Sequence, residues 1–138
     1  YAALQRALEI SPESAYVNFT MGMNQLLQDR PEQALAAFNA AEGGYHYAGV
    51  AMAQHSLGHK RESDAALAEG IANYPGGSYQ FAQAYAWRGE DDKALEWLER
   101  AYAQDDGGIT FLRSDAILSR YQDDPRYLAL RKKLGFPE

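Results

Sequence analysis

The sequence predicts an all-α protein in which helical hairpins stack in a row, a solenoid with capping helices at its C-terminal end. Two observations carry this prediction. Apolar residues recur at helical spacing along the whole chain, with no strand-like alternation. Small residues also recur at fixed offsets, and Gly- and Pro-containing turns separate the segments that hold them. The 138 residues are about the length of one domain.

Composition excludes several classes of function. Hydrophobic residues make up 46% of the chain, enough to bury a core. The absence of cysteine removes disulfides, thiolate chemistry and cysteine-ligated zinc, and leaves the compartment open between cytoplasm and periplasm. A net charge of −6 argues against nucleic acid as a partner of this segment. No apolar run approaches the roughly 18 residues that span a bilayer, so we expect no membrane insertion of this segment.

A small–small–bulky pattern recurs three times along the chain. A small residue is followed 12 positions later by a second small residue, and four positions after that by a bulky apolar one. Antiparallel helices pack closely only where small side chains face each other, and a large residue there costs about 1–3 kcal/mol. The pattern therefore favours repeated hairpins over the alternative, an ordinary alanine-rich bundle. The nine positions are Gly22, Ala34 and Phe38, then Ala51, Ser63 and Leu67, then Ala82, Ala94 and Leu98.

This pattern resembles the tetratricopeptide repeat (TPR), a helix–turn–helix unit of about 34 residues. The units here are shorter, with first-helix small residues 29 and 31 positions apart at Gly22, Ala51 and Ala82. The large aromatic residue usual early in the first helix is missing in two units, which have Asn18 and Ser78. The resemblance implies a TPR-like α-α superhelix over residues 1–107. Its parts are a partial unit at 1–12 and units at about 13–43, 44–74 and 75–107, before a helical cap at 108–138.

Turn residues fit the same scheme. Gly58 and Gly89 are expected to end the first helices of two hairpins in the left-handed conformation that glycine adopts at low cost. The sequences Asp29-Arg30-Pro31-Glu32 and Glu90-Asp91-Asp92 place carboxylates at the start of the helix that follows.

The C-terminal segment, 108–138, breaks the repeat and is expected to cover the apolar face of the last unit. Asp124 and Pro125 predict a helix start, and Gly135 its end. The segment looks like the end of TPR arrays in bacterial multidomain regulators, winged-helix or adenylate-cyclase-like. The residues that carry this resemblance are Asp115, Asp124-Pro125-Arg126-Tyr127 and Leu134-Gly135-Phe136-Pro137. It implies a protein-binding part of a longer regulator. The helical pattern that runs off Tyr1 separately leads us to expect a chain cut from a longer protein, with a processed or trimmed terminus as the alternative.

The TPR resemblance also implies a concave groove lined by the first helix of each unit. Its aromatic and methionine side chains suit an apolar helix or an extended peptide, so we expect a protein or peptide partner. TPR domains that bind peptide carboxylates use Lys and Asn on this face, and that activity is not carried over. The alternatives are that these residues are core, contact the cap, or form a homodimer. The predicted groove residues are Tyr16, Phe19, Met23 and Leu27, then Tyr45, Met52 and His55, then Tyr79, Gln83 and Trp87.

The sequence contains no catalytic constellation. His55 and His59 are four positions apart, which is metal-ligand spacing on a helix, but Gly58 between them is expected to end the helix. The acid pairs lie at predicted helix boundaries, where capping explains them. We therefore predict a protein that is not an enzyme and binds no metal or cofactor, with a hydrolase or metal enzyme using these histidines as the alternative.

Overall fold

The structure is a computed structural model that describes residues 14–104, 112 and 115–135. These residues form seven α-helices and one 3-10 helix without any strand, which confirms the all-α prediction. The predicted partial unit at 1–12 lies outside the described residues. The chain divides into two compact units, Tyr1–Pro75 and Gly76–Glu138. The predicted division at residue 107 stays a prediction.

The described residues of the first unit form two helical hairpins. They are formed by α1 (Ser14–Leu27) with α2 (Pro31–Ala40), and by α3 (Gly43–Ser56) with α4 (Lys60–Asn73). Asn18 Nδ2 donates to the Ala40 carbonyl at 3.2 Å, near the open end of the first hairpin. Ser63 Oγ donates to the Ala51 carbonyl at 2.7 Å, across the second. Since α3 also packs against α1 and α2, the two hairpins of this unit lie side by side.

The second unit contains one hairpin and a C-terminal segment. The hairpin is formed by α5 (Ser78–Trp87) and α6 (Asp91–Ala103). A 3-10 helix, η1 (Leu118–Tyr121), and α7 (Pro125–Lys133) follow, and α7 packs against α6. Asp124 Oδ1 accepts a hydrogen bond from the Arg126 amide at 2.8 Å, so the predicted start of α7 is confirmed.

The same turn closes all three hairpins. In each, a residue with positive φ donates its amide to the carbonyl three positions back at 3.0 Å. Gly58 (φ 81°) and Gly89 (φ 78°) occupy this position as predicted, and Asp29 (φ 60°) occupies it in the first hairpin. The residue after it donates to the carbonyl five positions back, at 2.8–2.9 Å. These turns give the three hairpins one register, with equivalent positions at 29, 58 and 89.

Asp29 is the only non-glycine residue with positive φ in the described part of the chain. We expect Asp29→Gly to unfold at a higher free energy than Asp29→Ala, by about 1 kcal/mol, because a Cβ is disfavoured in the left-handed region. Urea unfolding followed by circular dichroism measures the difference. The matched pair is Gln28→Gly and Gln28→Ala, one position earlier, where φ is not positive. At position 28 the alanine variant should be more stable than the glycine variant. The same order of stability at positions 28 and 29 would contradict the strain at Asp29.

All nine small and bulky positions of the repeat pattern are buried. Phe38, at 0% exposure, fills the space between the two hairpins of the first unit. A methyl group on Gly22 of α1 or on Gly49 of α3 would overlap its ring carbons. Two glycines on neighbouring helices therefore make the slot that Phe38 occupies. The repeat pattern identified Gly22 but missed Gly49, whose only sequence signal is a glycine in the middle of a predicted helix.

Candidate functional site

A line of aromatic rings runs from the surface of the first unit into its core. The Tyr16 ring of α1 lies 6.0 Å from the Tyr45 ring of α3, edge to face. Tyr45 in turn lies 5.2 Å from Phe19, and Phe19 lies 5.7 Å from Phe38. Aromatic pairs at such distances contribute about 0.5–1.5 kcal/mol beyond the area that they bury. The two outer rings are therefore held by the core beneath them.

The outer end of this line belongs to an accessible apolar surface, which we call the α1–α3 face: Tyr16, Met23 and Leu27 of α1, with Tyr45 of α3. Tyr16 is 45% exposed and Leu27 is 51% exposed, while Met23 and Tyr45 are half-buried. The three α1 residues recur at helical spacing and form one stripe. His55 is also exposed, near the C-terminal end of α3. Trp87, in the second unit, is half-buried.

Four of the predicted groove residues lie in the interior of their units. Phe19 is covered by the rings described above, and Met52 is fully buried. Tyr79 and Gln83 are buried in the second unit, where both donate to Asp115 of the C-terminal segment. A partner can therefore reach only the other six of the ten predicted residues in this conformation. Periodicity placed all ten on one kind of helix face, but it could not show which faces other elements cover.

Asp115 links two elements of the second unit, and sequence reasoning did not assign it this role. Its Oδ2 accepts from Tyr79 Oη at 2.6 Å and from Gln83 Nε2 at 2.7 Å. Its Oδ1 accepts from the amides of Ile117 at 2.8 Å and Leu118 at 3.1 Å. One carboxylate thus joins α5 to the segment that contains η1. The available signal was an aspartate two residues before an apolar pair, a typical capping arrangement.

A second tyrosine–carboxylate contact holds η1 against α6. Tyr121 Oη donates to Asp91 Oδ1 at 2.7 Å. Burial, and then the hydrogen bond and charge of Asp91, raise the pKa of the Tyr121 phenol well above its usual value. Tyr121 therefore stays protonated and keeps donating. Arg126 of α7 also reaches α6, where its Nη2 lies 2.9 Å from Asp92 Oδ1 in an exposed ion pair.

The histidines do not form a shared site in the described part of the chain. His59 lies beyond the end of α3, with its Nδ1 2.8 Å from Gln54 Oε1. His46 Nδ1 lies 3.0 Å from the Phe38 carbonyl. Among residues 14–104, 112 and 115–135, no three His, Cys, Asp or Glu side chains are grouped to hold a metal ion.

No described helix has the length and apolar character needed to cross a membrane. No protein-family model matches the chain, and no curated protein or solved structure matches it. Inference about function therefore depends on the geometry described above.

Proposed function

We propose that this chain is a non-enzymatic protein-interaction module whose α1–α3 face binds apolar side chains of a partner protein or peptide. The observation that carries the proposal is the position of Tyr16. Its ring is 45% exposed and yet packs against Tyr45 of the neighbouring helix. Tyrosine is enriched among the residues that dominate binding energy, because it presents a large apolar area and a hydroxyl with few rotatable bonds.

The exposed tyrosines of the α1–α3 face are held in place by neighbouring side chains, which favours binding. Tyr16 and Tyr45 lie on two helices that pack against each other, and the Phe19 ring contacts Tyr45 from the core. Side chains that are already ordered lose less conformational entropy when a partner binds. Met23 and Leu27 extend the same stripe with adaptable apolar surface. A short apolar helix or strand laid along α1 would contact these residues in turn.

The proposal includes a family context. The three hairpins share one turn geometry, and the two in the first unit lie side by side, both of which support TPR-like repeats. The role in a bacterial signalling or transcriptional regulator is supported only by the resemblance of the C-terminal sequence. The same face could instead pair with a second copy of the chain, and the experiment below separates these outcomes.

A peptide-display selection tests the α1–α3 face and does not require the partner to be identified first. The immobilised chain is presented with a random peptide library, and enriched peptides are synthesised and titrated by fluorescence anisotropy. We expect peptides with at least two apolar side chains at helical or strand spacing. The double variant Tyr16→Ser, Leu27→Ser should weaken their binding at least tenfold, because it removes the two most exposed members of the face.

The matched control is Leu128→Ser, since Leu128 is 45% exposed and lies in the other unit. It should leave peptide affinity unchanged. Circular dichroism of all variants checks that the helices remain. Peptides that bind the double variant as tightly as the original chain would contradict the α1–α3 face as the binding site. Sedimentation at two concentrations detects a dimer, and a dimer lost in the double variant would replace the proposal with self-association.

A further inference from the structure

The face of α5 that carries Tyr79 and Gln83 is equivalent to part of the α1 surface. The hairpin turns at positions 29 and 89 are 60 residues apart. The same offset matches Tyr79 with Phe19 and Gln83 with Met23. In the third hairpin a tyrosine thus stands in place of phenylalanine and a glutamine in place of methionine, so this face gains two hydrogen-bond donors.

A short stretch of the chain itself, Asp115 to Tyr121, occupies this polar face; we call it the 115–121 segment. Tyr79 Oη and Gln83 Nε2 both donate to one oxygen of the Asp115 carboxylate, at 2.6 and 2.7 Å. The two donors are one helical turn apart on α5, so they converge on a single acceptor. Both donors are neutral and buried, and they hold the carboxylate through hydrogen bonds.

The rest of the segment is shaped by the same aspartate. Its second oxygen accepts the amides of Ile117 and Leu118, at 2.8 and 3.1 Å, and so closes a local turn. The turn directs the side chains of Ile117 and Leu118 into buried positions. This part of the recognition lies within four consecutive residues: a carboxylate, a spacer and two apolar side chains.

Two contacts fix the far end of the segment. Arg120 Nη1 donates to the Ala86 carbonyl of α5 at 2.5 Å. Tyr121 Oη donates to Asp91 at the start of α6. The segment therefore lies along the hairpin from Tyr79 to the turn between the two helices.

We infer that the 115–121 segment is an intramolecular ligand, and that the α5 face is a second interaction surface, specific for peptides with the order Asp, any residue, apolar, apolar. Recognition of this kind needs only a short continuous sequence, which a second chain can supply. The α1–α3 face contributes no residue to it. The two surfaces therefore differ in specificity, the first for apolar side chains and the second for a carboxylate-capped turn.

The test is a competition between the segment and a labelled peptide of the same sequence. The probe is LRSDAILSRYQD, residues 112–123, with an N-terminal fluorophore. It is titrated by anisotropy into the full chain and into the full chain with Asp115→Asn. We expect Asp115→Asn to bind the peptide at least tenfold more tightly than the original chain, because its own segment has lost the carboxylate and no longer holds the face as tightly. A peptide with the D115N change should bind this variant at least tenfold more weakly.

A second variant checks the location of the binding. Adding Tyr79→Phe and Gln83→Leu to Asp115→Asn removes both donors of α5 and should abolish the gain. Equal peptide affinity for the original chain and for Asp115→Asn would overturn the inference. So would loss of helical circular dichroism in Asp115→Asn, since the segment would then be core rather than a ligand. The peptide-selection experiment uses a different face and different peptides, so either result can fail without the other.

Discussion

Replacing Phe38 by alanine should destabilise the chain by about 3–5 kcal/mol, the usual cost of removing a fully buried phenylalanine. Phe38 is 0% exposed and ends the ring line that begins at Tyr16. The slot between Gly22 and Gly49 is shaped around it, and glycines have no side chains with which to fill the cavity. Small domains have only about 5–15 kcal/mol of stability in total. This one change should therefore remove a large fraction of it.

Urea unfolding checks the result with two signals. Circular dichroism follows all helices, whereas both tryptophans, Trp87 and Trp97, lie in the second unit. The urea midpoint measured by circular dichroism should fall in Phe38→Ala. The midpoint measured by tryptophan fluorescence then shows whether the second unit is destabilised as well. The control is Leu27→Ala in the same unit. Leu27 is 51% exposed, so its loss should cost about 0.5 kcal/mol or less. Equal costs for the two variants would contradict the buried position of Phe38.

Adding a methyl group at Gly49 should cost about 1–3 kcal/mol, because it would overlap three ring carbons of Phe38. Alanine favours a helix over glycine by about 1 kcal/mol, so the sign of the change is informative. We expect overlap to outweigh propensity, since the Phe38 ring is buried and has no free space to enter. The same urea transitions measure the free energy of unfolding.

Two comparisons make the Gly49→Ala result specific. Gly76→Ala, in a turn outside the helices, is the control for added volume, because no atom lies within 4 Å of the position its Cβ would take. Phe38→Leu removes part of the ring that the added methyl group would overlap. The double variant, Phe38→Leu with Gly49→Ala, should therefore lose less stability than the sum of the losses in the two single variants. A coupling of about 1 kcal/mol is expected for residues in direct contact. Costs that simply add would show that Gly49 does not face Phe38.

Several features of this protein were determined by the sequence alone. The recurring small and bulky residues predicted the helices and the buried positions, because packing at a helix crossing imposes local size limits at fixed offsets. Gly58 and Gly89 predicted the turns, because the left-handed conformation is decided by the residue that adopts it. Asp124 and Pro125 predicted the start of α7 for the same local reason.

Only the tertiary structure decided which helix faces are accessible. Phe19 and Tyr79 are equivalent by repeat position, yet one is covered by rings of its own unit and the other by the C-terminal segment. Gly49 gains its role from Phe38, which lies on another helix. Asp115 gains its partners from α5, more than 30 positions earlier in the chain. Burial and partner choice depend on residues far apart in sequence, and periodicity within a single helix contains no information about them.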